Sequence, residues 1–231
     1  MIPRPWSHSA LETHGNCPWQ YHEKYIARNL PPEEKSKQQL WGIKVHEKFD
    51  AYVSRPGNTL PVDLEIYKDF LDKLIAEGEA NGHAKTECKV ALGINPFGPC
   101  SYFAKNVWWR GIIDFHTINA AEGRAKIVDY KTGKKKDDWA QLAESALWIF
   151  AEYPKVNLIN AQYYWTEDMT VTKKVWARSE MDTLVAMFSD KLAAYAHSFK
   201  TEVFGKKQSG LCYGYCPVTS CEFWKPKKER Y

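Results

Sequence analysis

A chain of 231 residues, 44% hydrophobic and 26% charged, carries enough apolar material for one well-formed core or at most two small domains. Those fractions are ordinary for a soluble globular protein, and no apolar run reaches the roughly 18 residues of a membrane span. The net charge of +4 does not by itself establish a nucleic-acid partner.

Met1-Ile2-Pro3-Arg4-Pro5-Trp6 lacks the continuous apolar segment of a secretory signal, so a cytoplasmic location is expected. Ser9 and Glu12 have capping-box spacing, which predicts a helix from about Ser9 toward Arg28, stopped by Pro31-Pro32. A second helix is predicted over about 35–53, ending before Arg55-Pro56-Gly57. Leu64, Tyr67, Phe70, Leu71, Leu74 and Ile75 keep helical period, giving a third helix over about 62–80. Strands follow over about 85–91, 101–118 and 125–131. Asp137 or Asp138 is expected to cap a helix that reaches Tyr153, where Pro154 ends it. Strands near 158–166 and 170–177, a long helix over about 180–199 and an irregular cysteine-bearing tail complete the chain. The expected class is α/β (α+β), a mixed central sheet flanked by helices. A single domain is expected, with a helical region over about 9–80, a core over about 84–177 and a terminal helix and tail over 179–231.

Asp129-Tyr130-Lys131 closes an apolar strand, and Asp129 and Lys131, two apart, share a face. The segment 107–118 reads as its hairpin partner, with 119–125 as the turn. Asp114 and Asp129 are equidistant from the turn's midpoint, between Ala121 and Glu122, so they are expected to oppose each other. Opposed like charges among Ile112, Ile113, Phe115, Ile127 and Val128 need a positive partner. A hard divalent cation with a lysine beside it supplies one, which points to a metal-dependent hydrolase.

Lys134, Lys135 and Lys136 follow that strand and suit phosphate tracking. Lys206, Lys207, Lys225, Lys227, Lys228 and Arg230 crowd the other end and read more simply as a solvated tail. Ten tryptophans and thirteen tyrosines are many; most are expected in the core, though aromatics beside basic residues also suit stacking on unpaired bases. No phosphate loop, GxSxG elbow or GxGxxG fingerprint is found, and Lys131-Thr132-Gly133-Lys134 is no ATP site.

Taken in order, several segments resemble the RecB-like nucleases, a branch of the PD-(D/E)XK superfamily that includes AddB-type and CRISPR-associated members. The resemblance spans nearly the whole chain. It rests on Ser9-Ala10-Leu11-Glu12-Thr13, Cys17-Pro18 and Tyr21; on Gly42 with Val45-His46; and on Glu87. Gly111-Ile112-Ile113-Asp114, Val128-Asp129-Tyr130-Lys131-Thr132-Gly133 and Gln141-Leu142 complete it. The resemblance implies a restriction-endonuclease-like core and a Mg²⁺- or Mn²⁺-dependent exonuclease acting on DNA ends, on single-stranded DNA, in recombination or repair. It implies His46, Asp114, Asp129 and the Tyr130 backbone carbonyl as metal ligands, and Glu87 as a ligand or a group behind one. Lys131 would then serve the attacking water or the developing phosphorane charge, held by Gln141. Where the family often has a tyrosine four residues after the glutamine, this chain has Ser145. An end-trimming nuclease of a CRISPR adaptation complex and a catalytically silent DNA-binding subunit are the alternatives. Recombination or replication proteins are expected partners.

Cys212, Cys216 and Cys221 cluster in the tail, and in a cytosolic chain such clustering favours metal ligation over disulfides. AddB-type relatives hold a [4Fe–4S] cluster on one early and three late cysteines, which implies Cys17 as the fourth ligand. The spacing here is C-x3-C-x4-C against the usual C-x2-C-x5-C, leaving an iron–sulfur cluster, a tetrahedral Zn²⁺ site and unligated thiols open. Cys88 and Cys100 read as core thiols.

Overall fold

The computed structural model describes residues 4–32, 34–55 and 57–226. In chain order its elements are α1 (His8–Asn16), α2 (Pro18–Tyr21), a π-helical turn (His22–Ala27), α3 (Lys37–Ser54), a 3₁₀ segment (Val62–Tyr67) and α4 (Lys68–Asn81). Then come β1 (Ala84–Gly93), β2 (Gly98–Pro99), β3 (Val107–Asn119), β4 (Arg124–Lys131) and α5 (Ala140–Glu152). The last are β5 (Leu158–Trp165), β6 (Thr170–Ala177), α6 (Met181–Ala186), α7 (Ser189–Thr201) and a 3₁₀ turn at Gly210–Cys212. The chain divides into two compact units, Lys35–Met187 and the pair of segments Met1–Glu34 and Phe188–Tyr231.

The central unit is built on one six-stranded sheet in the order β2-β1-β3-β4-β5-β6. Only β4 and β5 run parallel, because α5 crosses between them; the other pairs are antiparallel, so the sheet is mixed as expected. One face carries α3 and α4, whose Val45, Phe49, Leu71 and Leu74 pack with Phe115, Val128, Tyr130 and Tyr164. Phe49 is fully buried, and truncating such a side chain costs about 3–5 kcal/mol. The other face carries α5, buried along Leu142 to Phe150. Trp109 Nε1 reaches up from β3 to donate to Glu144 Oε2 of α5 at 3.0 Å. The Trp109 ring lies so close over Gly111 that a Cβ there would meet it at 2.5 Å, which is why the residue two before Ile113 is a glycine.

The β3–β4 register pairs Phe115 with Val128 and His116 with Ile127, the register that the position of the turn predicts. The ladder stops there, one step short of Asp114 and Asp129, because the strands part. On the other side of β3 the ladder pairs Thr86 with Phe115 and Cys88 with Ile113, and again skips Asp114. Its would-be partner, Glu87, has a left-handed φ of 42°. Trp109 and Phe115, both odd-numbered, would share a face of a regular strand. Trp109 instead meets α5 while Phe115 packs with α3 and α4, so the pleat changes phase at Glu87 and Asp114.

In the unit formed by the chain ends, Tyr21 and Tyr195 bond hydroxyl to hydroxyl at 2.7 Å, and His14 Nε2 meets Ser198 Oγ at 3.0 Å. Trp6 packs on Phe188.

Several expected boundaries are corrected. The first helix is capped by Ser7, whose hydroxyl accepts from Ala10 N, not by Ser9; Glu12 pairs instead with Lys191. That helix stops at Cys17, whose extended backbone (φ −160°) suits the residue before Pro18. The stretch predicted over 62–80 opens as a 3₁₀ segment and becomes α-helical at Lys68. The long strand starts at Val107 rather than 101. Trp139 occupies the cap position of α5, although Asp138 Oδ1 accepts from Ala140 N as a capping side chain does. The helix predicted over 180–199 is two, broken at Met187 and Phe188. Met1, Ile2, Pro3, Pro56, Lys227, Lys228 and Arg230 lie outside the described residues. Among the described residues no helix is long and apolar enough to cross a membrane.

Candidate active site

The site forms where β3 parts from its neighbours. Freed from both ladders, Asp114 turns its carboxylate into the gap, and Oδ2 accepts a hydrogen bond from Tyr130 N at 2.7 Å. The side chain thus replaces the backbone acceptor that the parted strand no longer offers. Above it, α3 presents His46. Gly42, one turn earlier, lets the helix approach the strand end; a Cβ there would press Thr132 Oγ1 at 3.1 Å. His46 Nδ1 lies 3.3 Å from Asp114 Oδ2 and 3.5 Å from Glu87 Oε1, and Nε2 meets the Tyr130 carbonyl at 3.0 Å. Burial by itself lowers the imidazole's proton affinity, but hydrogen bonds to Asp114 and Glu87 and the charges of Asp114 and Asp129 outweigh it, holding His46 at about 10.

Among the described residues, His46, Glu87 and Asp114 are the one set of three ligating side chains with atoms all within 4.8 Å of one another. An octahedral ion with ligands near 2.1 Å sets neighbouring donors about 3 Å apart, close to the two His46 distances. The donor set is one imidazole and two carboxylates, and its carboxylates already attract a cation to their midst. The residues therefore fit a divalent metal, which would displace the proton of His46.

Asp129 is not in that trio. It is buried, and its Oδ2 lies 2.7 Å from Lys131 Nζ and accepts no hydrogen bond beyond that ion pair. Burial and the charge of Asp114 push Asp129 up to about 6, against the pull of Lys131 and His46. Asp114 and Asp129 therefore feel each other across the gap, but the close carboxylate neighbour of Asp114 is Glu87. Lys131 also donates to Gln141 Oε1 at 2.6 Å and lies over the Tyr163 ring at 5.1 Å. Ser145, where the family often has tyrosine, bonds back to the Gln141 carbonyl at 3.1 Å. Lys134, Lys135 and Lys136 are exposed on the loop after β4, and Lys135 pairs with Asp168 at 2.7 Å.

Sequence reasoning missed Asp50. It sits one turn after His46, lines the same cleft with Glu87, and accepts from Thr86 Oγ1. The signal was there, since residues four apart share a helix face.

A family model described as the PD-(D/E)XK nuclease superfamily matches residues 5–221. The chain belongs to the PD-(D/E)XK nuclease superfamily. Nucleases of this superfamily use divalent metals, which accords with the donor set just described. The solved structure of a "Putative exonuclease" from Eubacterium rectale aligns with 98% of this chain and 90% of its own, at TM-score 0.52 and 12% identity. At that identity the likeness shows the fold. The structure of SSO0001, covering 96% of this chain and 87% of its own at 12% identity, is more distant, with a TM-score of 0.39. No curated protein matches the sequence.

In the unit of chain ends, Cys17, Cys212, Cys216 and Cys221 line one cavity together with Trp19 and Trp224. No disulfide joins any of the six cysteines. Burial raises the Cys216 thiol, and the charges of Cys17, Cys212 and Cys221 raise it further. Ser209 N donates to Cys212 Sγ at 3.4 Å. Cys88 and Cys100, raised mainly by burial, belong to the central unit.

A pH effect follows from Asp129. A carboxyl whose folded pKa is about 6 against 3.8 stabilises the fold most below pH 3.8 and loses that contribution as pH rises toward 6. In metal-free protein Asp129→Asn should therefore be the more stable at pH 7.5, by about 1–3 kcal/mol, with the advantage shrinking toward pH 4. Melting curves in EDTA at both pH values check this. An equal difference at both would remove the buried charge as its cause.

Proposed function

We propose that this nuclease is a metal-dependent DNA exonuclease of the RecB-like type, acting on DNA ends and on single-stranded DNA. The observation that carries this reading is Lys131, held between Asp129 and Gln141 beside the His46–Glu87–Asp114 trio. An ammonium has three donors; Asp129 and Gln141 occupy two, leaving one for the substrate. Ion-paired with Asp129, Lys131 serves as a fixed positive charge rather than as a base, neutralising charge that grows on the phosphoryl oxygens. His46, Glu87 and Asp114 would hold the divalent ion, and Asp129 and the Tyr130 carbonyl are the further oxygen donors proposed for it. When bound, that ion supplies the Lewis acid that polarises the phosphoryl group and activates water. Water attacks phosphorus in line and gives up a proton to solvent, the opposite P–O bond breaks, and the leaving oxygen takes a proton from solvent. Lys134 and Lys136 on the neighbouring loop attract the backbone.

The four gathered cysteines support an iron–sulfur cluster. All four line one cavity and none is tied up in a disulfide, so each is free to ligate one shared metal group. Anaerobically purified protein should be brown; a colourless protein with stoichiometric zinc would decide for the tetrahedral site.

The activity is tested by incubating the protein with end-labelled and circular DNA, single- and double-stranded, with and without Mn²⁺. Release of short products from linear single strands, only with the metal, is expected. Cutting of circles would replace the exonuclease by an endonuclease. No cutting at all would favour a silent DNA-binding subunit.

A further inference from the structure

Away from the metal-binding trio, the tip of the β1–β3 hairpin exposes aromatic rings around a cation. Phe103 is 79% exposed and Phe97 48%, both in segments flanking β2. The Arg110 guanidinium lies 5.3 Å from the Tyr102 ring centroid and 5.9 Å from that of Phe103. Its buried Nε has no hydrogen-bond partner. Among the described residues no carboxylate forms an ion pair with Arg110, Lys89 or Lys105. This is unlike Lys135, Lys191 and Lys206, each of which has one.

The patch leads to the site. Trp109 faces α5, so Arg110 and Ile112 face the other way, and Asp114, in contact with His46, continues their row. The change of pleat phase at Glu87 and Asp114 ends the row at that carboxylate, which its contact with His46 places on the α3 face. Ile112 is 42% exposed and stands opposite the exposed Lys89 of β1, two residues from Glu87. One strip of sheet therefore carries, in order, exposed rings, an unpaired guanidinium, an exposed aliphatic residue beside an unpaired lysine, and then the acidic centre.

We propose that Phe103 and Tyr102, with Arg110, form a base-stacking subsite for single-stranded DNA a few nucleotides from the cleaved phosphate. The proposal rests on the nuclease reading above and names where the uncut part of the strand lies. Exposed rings stack on bases of any kind, and a cation beside them takes the intervening phosphate. Arg110 and Asp114 are four strand steps apart, about 13 Å, or roughly four nucleotides if stacked at about 3.4 Å per step and fewer if stretched. Charge selects a polyanion over an apolar partner, since Lys89, Lys105 and Arg110 would otherwise face it unneutralised.

The test measures binding of dye-labelled dT12, and of an abasic oligomer of the same length, to the full protein by fluorescence anisotropy with Ca²⁺. Phe103→Ala should weaken dT12 binding about tenfold and leave the abasic oligomer within twofold, as loss of one stacked base requires. Phe103→Trp should restore dT12 binding. Arg110→Ala should weaken both oligomers and reduce the salt slope by about one. Unchanged dT12 affinity in both alanine variants would overturn the proposal and leave the patch to a protein partner. Equal loss of both oligomers in Phe103→Ala would overturn the stacking. Because these readouts need no turnover, failure of the wild type to cut DNA with Mn²⁺ would sink the nuclease reading separately.

Discussion

Alanine in place of Asp114 or Asp129 should abolish DNA cleavage, lowering kcat/KM by at least about 10³-fold, while anisotropy should still detect DNA binding. The two losses have different origins. Asp114 is a member of the trio proposed to hold the metal and the acceptor for Tyr130 N, so its removal opens that site and leaves a backbone donor without its partner. Asp129 pairs with Lys131 and is proposed as a further oxygen donor to the ion, so its removal both releases that ammonium and takes a carboxylate from the metal site. Asp114→Ala should therefore also lower the melting temperature, whereas Asp129→Ala should not lower it in metal-free protein at neutral pH, where the buried carboxylate is a cost. Cleavage within tenfold of wild type by either variant would show that the reaction occurs elsewhere.

Lys131→Ala is expected to reduce kcat by about 10²–10³-fold, the size of losing one preorganised donor to a developing oxyanion. The binding trio is untouched, so calorimetric Mn²⁺ affinity should stay within a few-fold of wild type. A large loss of metal affinity would mean that Lys131 acts by shaping the ligand set. Gln141→Ala should give a smaller loss in the same direction, because it removes one of the two acceptors that aim the ammonium.

The hairpin register could be read from the sequence because it depends on simple counting: Asp114 and Asp129 lie equally far from a short turn. The face shared by Asp129 and Lys131 follows from strand alternation, and the structure brings the two into contact. The row to which Asp114 belongs was harder. Alternation assumes a regular pleat, and the left-handed φ at Glu87, with both ladders skipping Asp114, leaves no mark in residue type. That irregularity is what sets Asp114 beside Glu87 and His46 rather than in a plain pair with Asp129. His46 was singled out only through the family resemblance; its helix neighbour Asp50 was overlooked although the four-residue spacing was visible. The break at Cys17 was legible in Pro18, whereas nothing in Met187-Phe188 signals that a helix should end there.

His14 meets Ser198 across 184 positions of chain, and the Tyr21–Tyr195 bond spans 174. During synthesis, residues 4–32 must wait for the whole of 35–187 to emerge before their partners exist. The central unit, compact by itself over 153 positions, can fold meanwhile. The opening segment is thus held unpaired longest, with Leu11, Tyr21 and Trp6 uncovered, and is the stretch most in need of a chaperone's cover.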